Sequence, residues 1–283
     1  MTLDGSPRRH AWLVPVAISA ATILLLAFLA LPFIALLLRV SPAQLVSRLG
    51  DVVVLDALRL SLETSAAATA ITIALGLPAA YLLATREFPG KRLAEVLIDL
   101  PMVLPPTVAG FAMLMAFGRA GLAGGSLEAL GITLPFTTLG VVLAQVFMAV
   151  PFFVGPARAG IAGVDRRLIE AASTLRASEL HTFVRVILPL AMPSLIAGTA
   201  MSCARALGEF GATITFAGNF PGSTQTMPLA VYVALQSDLD AAVVLSVLLL
   251  LMAFGLLAGL RSSPASGFWN RANARPRDHQ TTR

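Results

Sequence analysis

Charge is the first thing this sequence lacks. Only 12% of its 283 residues are Asp, Glu, Lys or Arg, about half the share of a soluble domain. Lys91 is the one lysine, and it stands in Pro89-Gly90-Lys91-Arg92. A phosphate-binding loop needs a glycine where Thr85 stands and a Ser or Thr where Arg92 stands, so that loop is absent. Cys203 is the single cysteine, which excludes an internal disulfide and a cysteine-based metal site. The three histidines, His10, His181 and His279, are scattered over polar segments, so neither a histidine metal site nor a Ser–His pair within an apolar run is expected. The chain reads as a non-enzyme with no catalytic residue, no metal site and no cofactor of its own. Its net charge of +5 comes from 20 basic and 15 acidic residues. The basic residues punctuate apolar runs and do not gather on a polar domain, so nucleic acid is not an expected partner.

Hydrophobic residues are abundant, at 57% of the chain. They fall into six stretches, at about residues 11–38, 58–85, 93–117, 137–160, 188–216 and 241–260. The expected fold is an all-α polytopic membrane protein with six transmembrane helices in contact with lipid. The first run is too long for the apolar core of a signal peptide and reads as a retained span. In the second, Arg59 and Glu63 stand four apart and can pair near the interface. The third is the least regular, with Asp99, Pro101, Pro105, Pro106 and Gly110. Either it is a kinked helix lining a pathway, or an entry loop precedes a span that begins after Pro106. Residues 118–136 are Gly-rich and weakly polar, and residues 217–240 read as a polar excursion. Fifteen Lys and Arg fall on the side of both termini and four on the other, with Arg205 inside a span. The positive-inside rule then makes both termini cytoplasmic. No strong internal repeat is visible, which weakens a case for an inverted-repeat secondary transporter.

Between the fourth and fifth runs lies the longest polar interval, at about residues 163–189. Asp165 is a natural N-cap, and Leu168, Ala172 and Leu175 follow at helical spacing. That predicts one short amphipathic helix outside the bilayer, suited to a groove on a partner. A second short helix is expected from Glu179 to Val186, ending before the apolar run resumes at Pro189.

The sharpest intramembrane feature is Arg205-Ala206-Leu207-Gly208-Glu209-Phe210-Gly211-Ala212-Thr213. Charges within a span are costly and usually face a cavity or a partner. Arg205 and Glu209 are four apart, so they can pair along one helix face. Two readings stand: the pair neutralises itself and holds the helix, or Arg205 adds positive potential to an anion pathway that Glu209 tunes. Gly208 and Gly211 allow close packing or a local break. Ser202 and Thr213, with Thr199, are candidate hydroxyls of a weakly binding pathway.

Two sets of residues carry a resemblance. Glu170-Ala171-Ala172, with Val186-Ile187-Leu188-Pro189 further on, resembles the coupling loop of bacterial ABC importer permeases; Arg176 stands where that family usually has Gly, and Val186 where it usually has Ile. Arg adopts the left-handed turn that Gly would allow only at a cost of about 1–2 kcal/mol, so either the turn is kept under strain or it differs here. Asp99-Leu100-Pro101, Leu104 to Gly110, Arg205 to Thr213, Phe216 to Asn219, Thr224 to Ala230 and Ser237 to Asp240 resemble the oxyanion permeases of that class, molybdate importers above all, with sulfate importers similar. The resemblance implies a type I importer permease over about residues 58–260, following an N-terminal tail, first helix and first periplasmic loop over 1–57 and preceding a cytoplasmic tail over 261–283. It also implies a bacterial inner-membrane location and a pathway shared with a second copy of the chain. Further implied partners are a periplasmic oxyanion-binding protein and two ATPase subunits that hold ATP and Mg. Asp165, Leu168, Glu170, Ala171, Ala172, Leu175 and Arg176 would couple to that ATPase. Tungstate or sulfate is the alternative cargo, and an ATP-independent secondary transporter the distant one.

Overall fold

A computed structural model describes residues 13–261. The tails carrying Arg8, Arg9 and the last basic residues lie outside the described residues. Among those described there are helices and connections but no strand. Helix α1 (Leu13–Leu37) is followed by α2 (Pro42–Arg48) and α3 (Val52–Thr85). Next come α4 (Lys91–Val103), α5 (Pro106–Phe117), α6 (Gly124–Ala129) and α7 (Thr138–Ala162). After α8 (Arg166–Thr174) and α9 (Glu179–Thr182), a π-helical turn at Phe183–Ile187 leads into α10 (Leu188–Leu207). The chain closes with α11 (Gly211–Phe216), α12 (Met227–Ser237) and α13 (Leu239–Arg261).

Five of these helices are long and apolar enough to cross a membrane: α1, α3, α7, the continuous stretch Glu179–Leu207, and α13. The third apolar run is broken at its prolines: two helices, α4 and α5, are separated at Leu104-Pro105. A helix does begin at Pro106, but the stretch before it is helical and not an entry loop. Pro101 already weakens the end of α4, and Pro106 at N1 pre-sets the φ that starts α5. Helix α4 puts its charged residues on one face, as an interfacial helix does.

The second span begins earlier than its sequence pattern indicated. Asp51 leads into α3, which runs 34 residues, about 51 Å and well beyond a 30 Å hydrocarbon core. The expected Arg59–Glu63 pair is formed, with Arg59 Nε 2.6 Å from Glu63 Oε1. Before it, Ser41 and Gln44 make a reciprocal capping box, with Pro42 at N1 of α2.

The polar excursion is also corrected. Thr224, Gln225, Thr226 and Met227 are buried, and Met227–Ser237 is an apolar helix. A turn over 220–225 satisfies its own backbone, with Gly222 at φ +75°. The first turn of α12 is then captured from outside, because the Ser61 hydroxyl of α3 accepts the Met227 N–H at 2.7 Å.

The core is built where α3, α7 and α10 meet. Phe153 of α7 is wedged between two glycines. A Cβ on Gly76 would lie 2.8 Å from the Phe153 ring, and one on Gly198 would lie 3.1 Å from the Phe153 carbonyl. That contact sets the register of the three helices. Ala80, Leu83, Ala157, Ile161, Ile187, Ala191 and Leu195 extend the core towards the α8 end; Ala68, Val146, Ala149 and Ala206 extend it the other way. By contrast, no described side chain of α1 is buried; it packs lightly on α13.

Candidate functional site

The polar interval folds as the spacing predicts at its start. Asp165 Oδ1 accepts the Arg167 N–H at 2.9 Å and opens α8. No residue of α8 is buried. Ile169 rests against the core cluster, and Ala172 is half-buried beneath it. Leu168 and Leu175 point away, 46% and 83% exposed, with Ala171 exposed beside them; Glu170, also exposed, lies round the helix with Arg166, Ile169 and Ser173. Glu170 has no ion partner among the described residues. The presented face therefore carries two bare leucines, and the free carboxylate lies on the other side of the helix.

At the end of α8 the left-handed turn is kept. Arg176 adopts φ +56°. Its N–H bonds to the Ser173 carbonyl at 2.9 Å, and the Ala177 N–H bonds to the Ala172 carbonyl at 3.1 Å. These are the two bonds of a Schellman motif, with Arg in the place that favours glycine. The geometry is kept and the strain is carried by the backbone. Arg176→Gly is expected to stabilise the loop by about 1 kcal/mol, since relief of left-handed strain exceeds the added unfolded-state entropy. Hydrogen exchange of residues 172–178 would read it as slower opening.

The second short helix is corrected as well. Ser178 caps it by accepting the His181 N–H at 3.2 Å, but the helix does not stop before Pro189. It passes through the π-turn and continues to Leu207 as one 29-residue helix. Pro189 cannot donate to the carbonyl four residues back, and the wider π-turn just ahead of it accommodates the missing bond.

The Arg205–Glu209 pair is formed, but not along one helix. Helix α10 ends at Leu207, and the chain turns through Gly208 and Phe210 before α11. Arg205 Nη1 lies 2.6 Å from Glu209 Oε2, an ion contact rather than an aligned hydrogen bond. Glu209 Oε1 accepts the Ala212 N–H at 2.7 Å. The Glu209 side chain is 0% exposed and that of Arg205 22%. One carboxylate thus joins both sides of a helix break, while the guanidinium reaches the surface.

This break faces the other one. A Cβ on Gly211 would lie 2.7 Å from Pro106 Cβ, and one on Gly110 only 2.6 Å from the Ala212 carbonyl oxygen. The two irregular stretches of the sequence, Pro101 to Gly110 and Arg205 to Thr213, are therefore packed on each other. Of the six candidate pathway residues, Ser202, Glu209, Gly211 and Thr213 are enclosed within this chain, Arg205 is half-buried, and Gly208 is exposed. Sequence reasoning missed the buried hydroxyls of α3: Ser61, Thr64, Ser65, Thr69 and Thr72. Their recurrence every three or four residues within an apolar run was the available signal. It also missed Gln145 as a fully buried side chain, and two ion pairs near the α8 end: Arg86–Glu179 at 2.6 Å and Arg158–Glu95 at 2.7 Å.

The helix arrangement is that of an ABC importer's membrane subunit. A bacterial ABC transporter that imports the acidic polysaccharide alginate superposes with TM-score 0.73 at 14% identity, covering 94% of this chain and 98% of that one. An amino acid ABC transporter superposes with TM-score 0.56 at 19% identity, covering 82% and 99%. The chain belongs to the family of binding-protein-dependent transport system inner membrane components, whose model matches residues 72–260. Its relatives narrow the class. The molybdenum transport system permease protein ModB of Mycobacterium tuberculosis is 43% identical over 237 residues, 82% of this chain and 88% of that protein. ModB of Escherichia coli K12 is 43% identical over 183 residues, 64% and 80%. The probable sulfate transport system permease protein cysT of Nephroselmis olivacea is 34% identical over 227 residues, 80% of each chain.

Proposed function

We propose that this permease carries molybdate inward as one half of a homodimer, driven by ATPase subunits that dock on α8. The observation that carries the docking is the presented face of α8: Leu168 and Leu175 unpartnered on a helix whose two ends are fixed by Asp165 and the Arg176 turn, with the unpaired Glu170 at the rim of the cleft on its other side. Apolar anchors one helical face wide are what a groove on a partner binds. The ATP and Mg sit on that partner. A periplasmic binding protein delivers the anion, as the solved alginate importer with its bound periplasmic protein illustrates for another cargo. Both termini and α8 lie in the cytoplasm, in keeping with the excess of Arg on that side. Family membership leaves the ATP-independent alternative without support.

Molybdate is favoured over sulfate by the higher identity to the ModB relatives. The deciding experiment is uptake of labelled molybdate into cells with and without the gene. Loss of uptake, with competition by tungstate but not by excess sulfate, is expected. Loss of sulfate uptake instead would keep the machine and change the cargo. In the same assay Glu170→Lys is expected to lower uptake by at least about tenfold, because it reverses an exposed carboxylate of the docking helix that no cation of the described residues pairs. Copurification of the ATPase should fall with it, and a fully assembled, fully active variant would remove α8 from the coupling role.

A further inference from the structure

We propose that Tyr81 and Arg86, at the end of α3, are positioning residues that clasp the start of the Glu179–Leu207 helix, so that a displacement of α8 travels up that helix and is not lost at its π-turn. The inference rests on the reading of α8 as the docking helix.

A nine-residue helix with no buried residue cannot by itself pull on the spans. Its connection to them is the Arg176 turn, then Ser178, then the long helix that ends beside Arg205. That helix has one weak place. The π-turn at Phe183–Ile187 has the wider i→i+5 ring, and Pro189 removes a further ladder bond. Left free, the segment before the turn would bend and absorb the displacement.

It is not left free. Glu179 and Phe183 stand four apart and share a face. Both are held by the same stretch of α3, about a hundred residues earlier in the chain. Arg86 Nη2 donates to Glu179 Oε1 at 2.6 Å. The Tyr81 and Phe183 rings meet edge to face, with centroids 4.8 Å apart at 68°. The polar contact and the aromatic one both lie on the α8 side of the weak turn or at its first residue. Next to them a cleft of about 440 Å³, lined by Arg166, Ile169, Glu170 and Ser173 among others, separates α8 from the ends of α3 and α7. Helix α8 therefore has room to move, while the helix it leads into is gripped.

The test uses the permease–ATPase complex with its binding protein in proteoliposomes of bacterial phospholipid, with hydrogen exchange on the same complex. Arg86→Glu replaces attraction by repulsion at an exposed pair, so exchange at the amides of 179–187 should rise up to about fivefold. Tyr81→Ala should act in the same direction. ATP hydrolysed per molybdate delivered should rise at least about threefold while the hydrolysis rate stays within about twofold, since the clasp touches coupling and not the nucleotide. Arg86→Glu with Glu179→Arg should restore both readouts, and Arg86→Lys should lie near wild type. Unchanged exchange in Arg86→Glu, or a raised exchange that the swap does not restore, overturns the clasp. Exchange reads the clasp without any cargo, so a wild-type complex that moves no molybdate would overturn the proposed cargo and leave the clasp decided by exchange.

Discussion

Arg205→Ala is expected to cost the folded permease about 3–5 kcal/mol, because it strands a buried carboxylate without its counter-charge. Glu209 is wholly enclosed, and its other oxygen is already committed to the Ala212 N–H. The loss should appear as a collapse in yield and a lower midpoint of thermal unfolding in detergent. Glu209→Ala should be nearly as damaging, since it removes the cap of α11 as well as the charge. Glu209→Gln is expected to be milder than either, because an amide oxygen still accepts from Ala212. Removing both charges together, as Arg205→Ala with Glu209→Ala, should recover most of the stability, leaving a cost of about 1–2 kcal/mol for the missing cap. That double variant separates the two readings of the pair. The enclosure of Glu209 favours a brace across the helix break, so the assembled double variant is expected to keep molybdate uptake within about fivefold of wild type. An assembled double variant without uptake would assign the guanidinium of Arg205 to the anion instead.

Gly110→Ala is expected to destabilise by about 1–3 kcal/mol, against the gain of up to about 1 kcal/mol that alanine brings to an ordinary helix position. The added methyl would lie 2.6 Å from the Ala212 carbonyl oxygen and 2.9 Å from both its Cα and Thr215 Cβ. Two of those three neighbours are backbone and cannot rotate away. Since α5 and α11 are both short and both follow a break, forcing them apart also loosens the Pro106–Gly211 contact. Gly110→Val should prevent accumulation of the folded protein. Gly155→Ala is the control: it sits in α7 with nothing within 4 Å of the new Cβ and should be neutral or stabilising. Thermal midpoints and membrane yields of the three variants check the order.

What was readable in the sequence and what was not follow from the range of the forces involved. Asp165, the amphipathic spacing after it and the Arg59–Glu63 pair are local, and each lies in the structure where the spacing put it. Apolar runs reported the long helices because burial in lipid or protein requires the same composition. Breaks were harder. Pro105-Pro106 gave a visible signal, but at the end of α10 Gly208 and Gly211 allowed a break or close packing without deciding between them, and the stop is enforced by Glu209 accepting from Ala212. The meeting of Gly110 with Ala212 links two stretches about a hundred residues apart, and no local pattern encodes it. Arg176 was read correctly as unfavourable in a left-handed turn. The two backbone bonds to Ser173 and Ala172 nevertheless hold it there.

The π-turn has a further consequence, in helical phase. A π-turn inserts one residue into an α-helix, and each residue advances the helix by about 100°. The turn absorbs that residue, so the face that carries Phe183 stays in step with the face on which Ala191, Leu195 and Gly198 meet Phe153 and its neighbours. Loss of a single residue between 183 and 187 would let the turn relax to α-helix with that packed face still in the core, whereas loss of one residue from the regular helix beyond it would rotate the remainder by about 100°. Single deletions in this family should therefore be tolerated at these five positions and not in the helix that follows.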